Sequence, residues 1–115
     1  ESGNDILSGG TGADTLWGGD GSDVFLYEFG DGNDTIRGGT GASWTDTIDI
    51  AGANDTYISS TSTSYQTADW TLSLSSGTIS SQGADHLTLS ADADGTITFS
   101  DGATVQLYDV ERVDW

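Results

Sequence analysis

Large apolar residues in the first part of the chain recur at a fixed interval. Leu7, Leu16 and Phe25 are nine residues apart, and Ile36 and Ile48 extend the series after short insertions. A single apolar position framed by small and polar neighbours predicts a very short strand that turns one side chain inward. The glycine-rich hexads between these positions predict turns. Farther along, the pattern changes to alternation. Trp70, Leu72 and Leu74 alternate with Thr71 and Ser73, and Leu87 and Leu89 with His86 and Thr88. Ile97 and Phe99 follow the turn signal Asp92-Ala93-Asp94-Gly95, Val105 and Leu107 follow Asp101-Gly102, and Val110 and Val113 lie near the end. Period-2 alternation with tight turns predicts half-buried antiparallel strands. The Ser/Thr tract at 59–64 reads as a loop.

Glycine and aspartate keep the same register as the apolar residues. Gly3, Gly12 and Gly21 are nine apart, as are Asp5, Asp14 and Asp23. The units read SGNDILS, GGTGADTLW and GGDGSDVFL; Tyr27-Glu28 is inserted before FGDGNDTIR. A fifth unit, GGTGASWTDTIDI, has Ser43 where aspartate is expected and recovers the pattern at Asp46-Thr47-Ile48. These units fill residues 1–50 and hold 12 of the 17 glycines, so the remaining chain must be built on a different plan. Two nonamers make one coil of a flattened right-handed spiral, and turns two repeats apart then stack on one edge. Asp5 falls over Asp23, Asp14 over Asp34 and Asp23 over Asp46, with the five apolar residues filling a thin interior. The expected fold is all-β. Residues 1–50 form a parallel β-roll, a right-handed β-helix of nonapeptide repeats, and residues 51–115 an antiparallel β cap, together one cooperative domain. A cap is needed because an open coil exposes its core and its strand edge.

Charge sharpens this picture. The 115 residues carry 19 acidic side chains against two basic ones, a net charge of -17. Leu, Ile, Val and Phe together number 22, and so low an aliphatic content with so much charge is the signature of a disordered chain. Nothing basic is available to meet phosphate, which excludes nucleic acid and anionic lipid as direct partners. No apolar run approaches the ~18 residues of a membrane span. Cysteine is absent, which removes disulfides and thiolate metal sites. Residues 1–20 show no signal peptide and there is no initiator Met, so the chain reads as a fragment of a larger parent polypeptide.

Carboxylates stacked at strand spacing, ~4.8 Å, repel unless a cation lies between them. Aspartate oxygens and turn carbonyls make an all-oxygen cage, which suits Ca²⁺ better than Mg²⁺, with its strict octahedral geometry, or Zn²⁺, which prefers nitrogen and sulfur. The candidate ligand-bearing turns hold Gly3 and Asp5; Gly9, Gly10, Thr11, Gly12 and Asp14; Gly18, Gly19, Asp20, Gly21 and Asp23; Gly30, Asp31, Gly32 and Asp34; and Gly39 with Asp46. About three or more ions are expected. A site at about 100 times its Kd adds ~2.7 kcal/mol. Three would add roughly 8 kcal/mol, comparable with the ~5–15 kcal/mol of an ordinary domain.

The turns Gly9-Gly10-Thr11-Gly12-Ala13-Asp14-Thr15-Leu16 and Gly18-Gly19-Asp20-Gly21-Ser22-Asp23-Val24-Phe25, with Gly30-Asp31-Gly32-Asn33-Asp34-Thr35-Ile36 close behind, resemble the RTX (repeat-in-toxin) nonapeptide G-G-x-G-x-D-x-U-x. The resemblance covers about the first 50 residues. It implies a parallel β-roll that folds on calcium, in proteins exported from Gram-negative bacteria by type I secretion. The chain would stay unfolded in low-calcium cytosol and fold on exit, which disfavours back-sliding. The ending DVERVDW is similar to segments found downstream of such repeats.

Three other features carry weaker chemistry. Ser90, Asp92, Asp94, Gly95 and Asp101 share features with a calcium loop, yet their flanks are strand-like and a plain hairpin is the expectation. His86 stands alone on the polar side of its strand and reads as a surface residue. Among the aromatics, Trp17 and Trp44 are candidates for a sugar platform, which gives an alternative function: a carbohydrate-binding module of a secreted polysaccharide-acting enzyme, with calcium structural. The preferred expectation is that Trp70 and Trp115 pack inside the cap while Trp17 and Trp44 cover its seam with the roll. No acid/base pair stands out, so the chain is not expected to be an enzyme.

Overall fold

The computed structural model describes residues 3–39, 44–91 and 93–115. Among them all regular structure is β. Five short strands follow the nonamer pattern: β1 (Ile6–Ser8), β2 (Thr15–Trp17), β3 (Val24–Glu28), β4 (Asp34–Arg37) and β5 (Thr47–Ala51). Each is centred on, or contains, the apolar residue that the spacing marks. No helix of the described residues is long and apolar enough to cross a membrane.

Successive strands alternate between two sheets. β1, β3 and β5 pair parallel, with Leu7 opposite Phe25 and Phe25 opposite Ile48, while β2 pairs parallel with β4, with Leu16 opposite Ile36. The two inward rows face each other. Phe25, Ile36 and Ile48 are buried, whereas Leu7 and Leu16, in the first rung of each row, are only partly buried.

The remaining strands are β6 (Tyr57–Ser60), β7 (Ser64–Thr67), β8 (Trp70–Ser76), β9 (Ile79–Gln82), β10 (His86–Leu89), β11 (Asp94–Phe99), β12 (Thr104–Tyr108) and β13 (Arg112–Asp114). Pairing is antiparallel through β6-β7-β8-β11-β12 and through β9-β10-β13. The sheets are therefore mixed. One has the order β1-β3-β5-β13-β10-β9, the other β2-β4-β12-β11-β8-β7-β6. Trp70, Leu72, Leu87, Leu89, Ile97, Phe99, Val105, Leu107, Val110 and Val113 are buried, as their alternation requires.

Two points differ from the sequence reading. The Ser/Thr tract at 59–64 is a hairpin rather than a loop: Ser59 and Ser60 lie in β6, Ser64 in β7, and Thr61 N–H donates to Ser64 O at 2.9 Å, closing the turn. Hydroxyl-bearing residues pair as readily as others when a neighbouring strand supplies the ladder. More consequential, β12 pairs parallel with β4 and β13 parallel with β5, in the positions a further coil would fill. The alternation between sheets thus runs from β1 to β5, leaves for residues 52–103, and resumes at β12 and β13. Val113 continues the row of Phe25 and Ile48, and Leu107 that of Leu16 and Ile36. One continuous apolar core joins both parts.

Candidate metal sites along the turns

Strand alternation sorts the turns onto two edges. Residues 3–5, 18–23, 38–39 with 44–46, and 109–111 lead into the β1 sheet, and residues 9–14, 29–33 and 100–103 into the β2 sheet. On the first edge Asp5 N–H donates to Asp23 Oδ1 at 2.8 Å, Asp23 N–H to Asp46 Oδ1 at 2.9 Å, and Asp46 N–H to Glu111 Oε1 at 2.9 Å. On the second, Asp14 N–H donates to Asp34 Oδ1 at 3.0 Å. A second ladder runs the other way from the preceding residue: Ser22 N–H donates to Asn4 Oδ1, Thr45 N–H to Ser22 Oγ and Thr104 N–H to Asn33 Oδ1, each at 2.9 Å. Every coil is thereby pinned to the next through side chains as well as strands.

These bonds use one carboxylate oxygen each of Asp23, Asp34 and Asp46. The Oδ2 atoms of Asp5, Asp14 and Asp23 are buried and meet no hydrogen-bond donor among the described residues. Asp23 is fully buried. Burying a carboxylate oxygen without a partner is costly, and here it is done repeatedly in register. Glycine makes the enclosure possible. A Cβ on Gly9 would stand 2.7 Å from Asp14 Oδ2, so only glycine lets the turn fold over its own carboxylate. Gly32 combines a φ of 107° with a Cβ direction that would meet Gly12 O at 2.7 Å, so the main chain of one coil presses directly on the next.

The donor set fits calcium. The described residues hold no group of three His, Cys, Asp or Glu side chains placed to share an ion, so a bound cation would draw its further ligands from turn carbonyls beside each aspartate. Mixed carboxylate and carbonyl oxygen coordination is what Ca²⁺ takes, and neither nitrogen nor sulfur is at hand for Zn²⁺. Electrostatics point the same way. Burial raises the Asp34 carboxyl above the usual carboxylate range; the hydrogen bond from Asp14 N–H opposes this, and the charges of Asp14 and Asp31 add to it.

The remaining candidate residues serve the same turns. Asp20 and Asp31 main-chain oxygens accept from Gly3 and Gly12 N–H, each at 2.8 Å, and Asp31 Oδ2 accepts from Glu28 N–H at 3.0 Å. Gly19 N–H donates to Gly38 O at 3.1 Å, and Gly39 packs on Gly19 O. Gly3, Gly10, Gly12, Gly19, Gly21, Gly30 and Gly39 all hold positive φ, and Thr11 is exposed. Gly18 folds over Asp23 as Gly9 does over Asp14. Ser43 lies outside the described residues; Asp46 nevertheless takes the aspartate place in the ladder. Glu111 escaped sequence reasoning because no repeat motif surrounds it, and Asn4, Ser22 and Asn33 because they occupy a variable position of the nonamer. The polar side chain just before Asp5, Asp23 and Asp34 was the available signal.

The other candidates have structural partners. Ser90 Oγ accepts from Thr78 N–H at 3.0 Å, Asp94 Oδ1 from Asp109 N–H at 3.0 Å and Asp101 Oδ1 from Ala103 N–H at 2.9 Å; Asp92 lies outside the described residues. His86 is paired with exposed Asp85 at 2.9 Å, and this contact lowers the Asp85 carboxyl. Trp70 and Trp115 meet at 5.3 Å between ring centroids, with Tyr65 against both. Trp17 covers no seam. It is 63% exposed on the outer face of its sheet, with the Arg37 guanidinium 5.1 Å from its ring and 4.4 Å from Tyr108. Trp44 is half-buried in the turn before β5.

Stacked short strands joined by glycine–aspartate turns define a repeat-built β protein whose chemistry resides in its turns. Within that class, the family of the RTX calcium-binding nonapeptide repeat matches in four copies, over residues 1–31 and 30–44. Residues 1–44 are thus similar to the RTX repeat, a calcium-binding and structural unit, and the rest of the chain lies outside the match. No curated protein and no solved structure matches the chain. A polysaccharide partner draws no support from these comparisons.

Proposed function

We propose that this chain is a calcium-dependent folding and stabilisation module of a larger secreted bacterial polypeptide. Its repeat region winds as a right-handed parallel β-roll, and ions bind along both edges through the aspartates at positions 5, 14, 23, 34 and 46 with neighbouring turn carbonyls. The observation that carries this reading is the register of buried Oδ2 atoms on Asp5, Asp14 and Asp23 that no donor meets. Bound there, calcium supplies the positive charge that a chain of net charge -17 lacks. Because the aspartates come together only in the folded chain, binding free energy becomes folding free energy. The match of residues 1–44 to the RTX repeat supports the further reading that the chain crosses the low-calcium cytosol unfolded and folds outside, which favours one-way export.

A far-ultraviolet circular dichroism titration tests the reading. The chain in chelator should give a disordered spectrum and convert to a β spectrum as calcium rises through ~10⁻⁴–10⁻³ M, the range of extracellular modules. Magnesium at equal concentration should convert little of it. A β spectrum in excess chelator contradicts the proposal.

A further inference from the structure

Along the edge that holds Asp5, Asp23 and Asp46, Asp23 and Asp46 each accept the main-chain N–H of the acid one coil earlier. The acid that ends this series comes from outside the repeats. Glu111 Oε1 accepts Asp46 N–H at 2.9 Å, as Asp46 Oδ1 accepts Asp23 N–H at 2.9 Å. Residues 104–114 contain no G-G-x-G-x-D unit, yet they reproduce the backbone of a coil. Gly38 N–H donates to Tyr108 O at 2.9 Å, just as Gly18 N–H donates to Arg37 O at 2.9 Å. Asp109 O stands over Gly38 in the way that Gly38 O stands over Gly18.

What the last coil does not reproduce is the ion-binding hexad. Only Asp109, Val110 and Glu111 separate β12 from β13, where residues 18–23 separate β2 from β3. Asp109 takes a φ of 56° to close so short a turn, and Val110 is fully buried within it. Asp46 is itself fully buried. Its N–H therefore depends on a protein acceptor, because water is excluded, and an unmet buried donor is costly.

We propose that Glu111 is a positioning residue for the calcium edge. By accepting the Asp46 N–H, it fixes the Asp46 turn against Asp23, and it sets the calcium affinity of that edge without ligating metal. A segment with no repeat motif thus ends the ladder and ties ion binding on the repeats to ordering of the C-terminal coil. The inference rests on the calcium-binding reading above and goes beyond it in assigning this residue and its role.

Isothermal calorimetry of calcium binding to the whole chain, with circular dichroism alongside, separates the possibilities. Glu111→Gln keeps an oxygen acceptor and should bind calcium within about twofold of wild type. Glu111→Ala removes the acceptor and should weaken binding about tenfold, the scale of one lost buried hydrogen bond. If Glu111→Ala does not fold at any calcium concentration, Glu111→Gln alone decides, since near-wild-type binding supports an acceptor role. Overturning results are an alanine variant that titrates like wild type, or a glutamine variant as impaired as alanine, which would make the carboxylate charge itself a metal ligand. A wild-type chain that ignores calcium instead removes the underlying reading, and with it this one.

Discussion

The repeat region and the antiparallel region inserted at 52–103 order the same acidic chain with different materials. In the repeats the interior is narrow, one apolar residue per strand in β1, β2 and β4 and two in β3 and β5, and Leu7 and Leu16 in the first rungs are only half covered. Cohesion there comes from side-chain ladders at the turns, and these leave carboxylate oxygens buried without donors. The inserted region packs Tyr65, Trp70, Leu72, Ile97 and Phe99, with Trp115 joining from the chain end. Its buried polar contacts are met: Trp70 Nε1–H donates to Asp55 at 2.7 Å and Thr67 Oγ1–H to Trp70 O at 3.1 Å. One region buries carboxylate oxygens that no donor meets; the other is built as an ordinary core.

Removing calcium should have the largest effect. With chelator, amide hydrogen exchange should lose protection at Phe25, Ile36 and Ile48, and also in β8 and β11, because β12 and β13 share one core with the repeats. Protection that persists in β8 and β11 alone would show that the two regions fold separately. Next in size, Trp70→Ala in saturating calcium should cost about 3–5 kcal/mol by denaturant unfolding, as deletion of a large buried aromatic does. Asp23→Asn keeps an acceptor for Asp5 N–H but loses the carboxylate; calcium binding should weaken about tenfold, ~1.4 kcal/mol. Asp69→Asn in the inserted region should leave it unchanged.

Acid should act in opposite directions on the two forms of the protein. Burial raises the Asp34 and Asp55 carboxyls in the folded chain. A carboxyl raised on folding favours the folded state when protonated; that contribution is complete below the unfolded value of ~3.9 and is lost as pH rises through the folded value. In chelator, acidification toward about pH 4 should therefore recover some β structure. With calcium present, the same acidification should weaken binding, because protons compete for the carboxylates. Circular dichroism against pH in both solutions checks the two signs. Smallest of all, Trp17→Ala should change stability by less than about 1 kcal/mol, since it forfeits only an exposed contact with Arg37.

Much of the repeat region was legible because its spacing is rigid. Nine-residue intervals at Leu7, Leu16 and Phe25 name the inward side chains, and the same interval at Asp5, Asp14 and Asp23 names the acids that stack. Alternation likewise marked Leu72, Ile97 and Val105 as buried. The return of β12 and β13 to the repeat strands was not legible. Periodicity reports which face of a strand is covered and says nothing of which distant strand covers it. Glu111 shares this fate, since only the parallel pairing of β13 with β5 brings it to Asp46. The hairpin at 57–67 was missed because β6 is polar and exposed along most of its length, which removes the alternation signal.

A crystal structure grown with calcium, with ions located by anomalous scattering, tests the central claim most directly. Ions should lie about 2.3–2.6 Å from Oδ2 of Asp5, Asp14 and Asp23, with turn carbonyls completing each shell. Electron density showing those three oxygens bound to protein donors or water, with no ion between the coils, would contradict it.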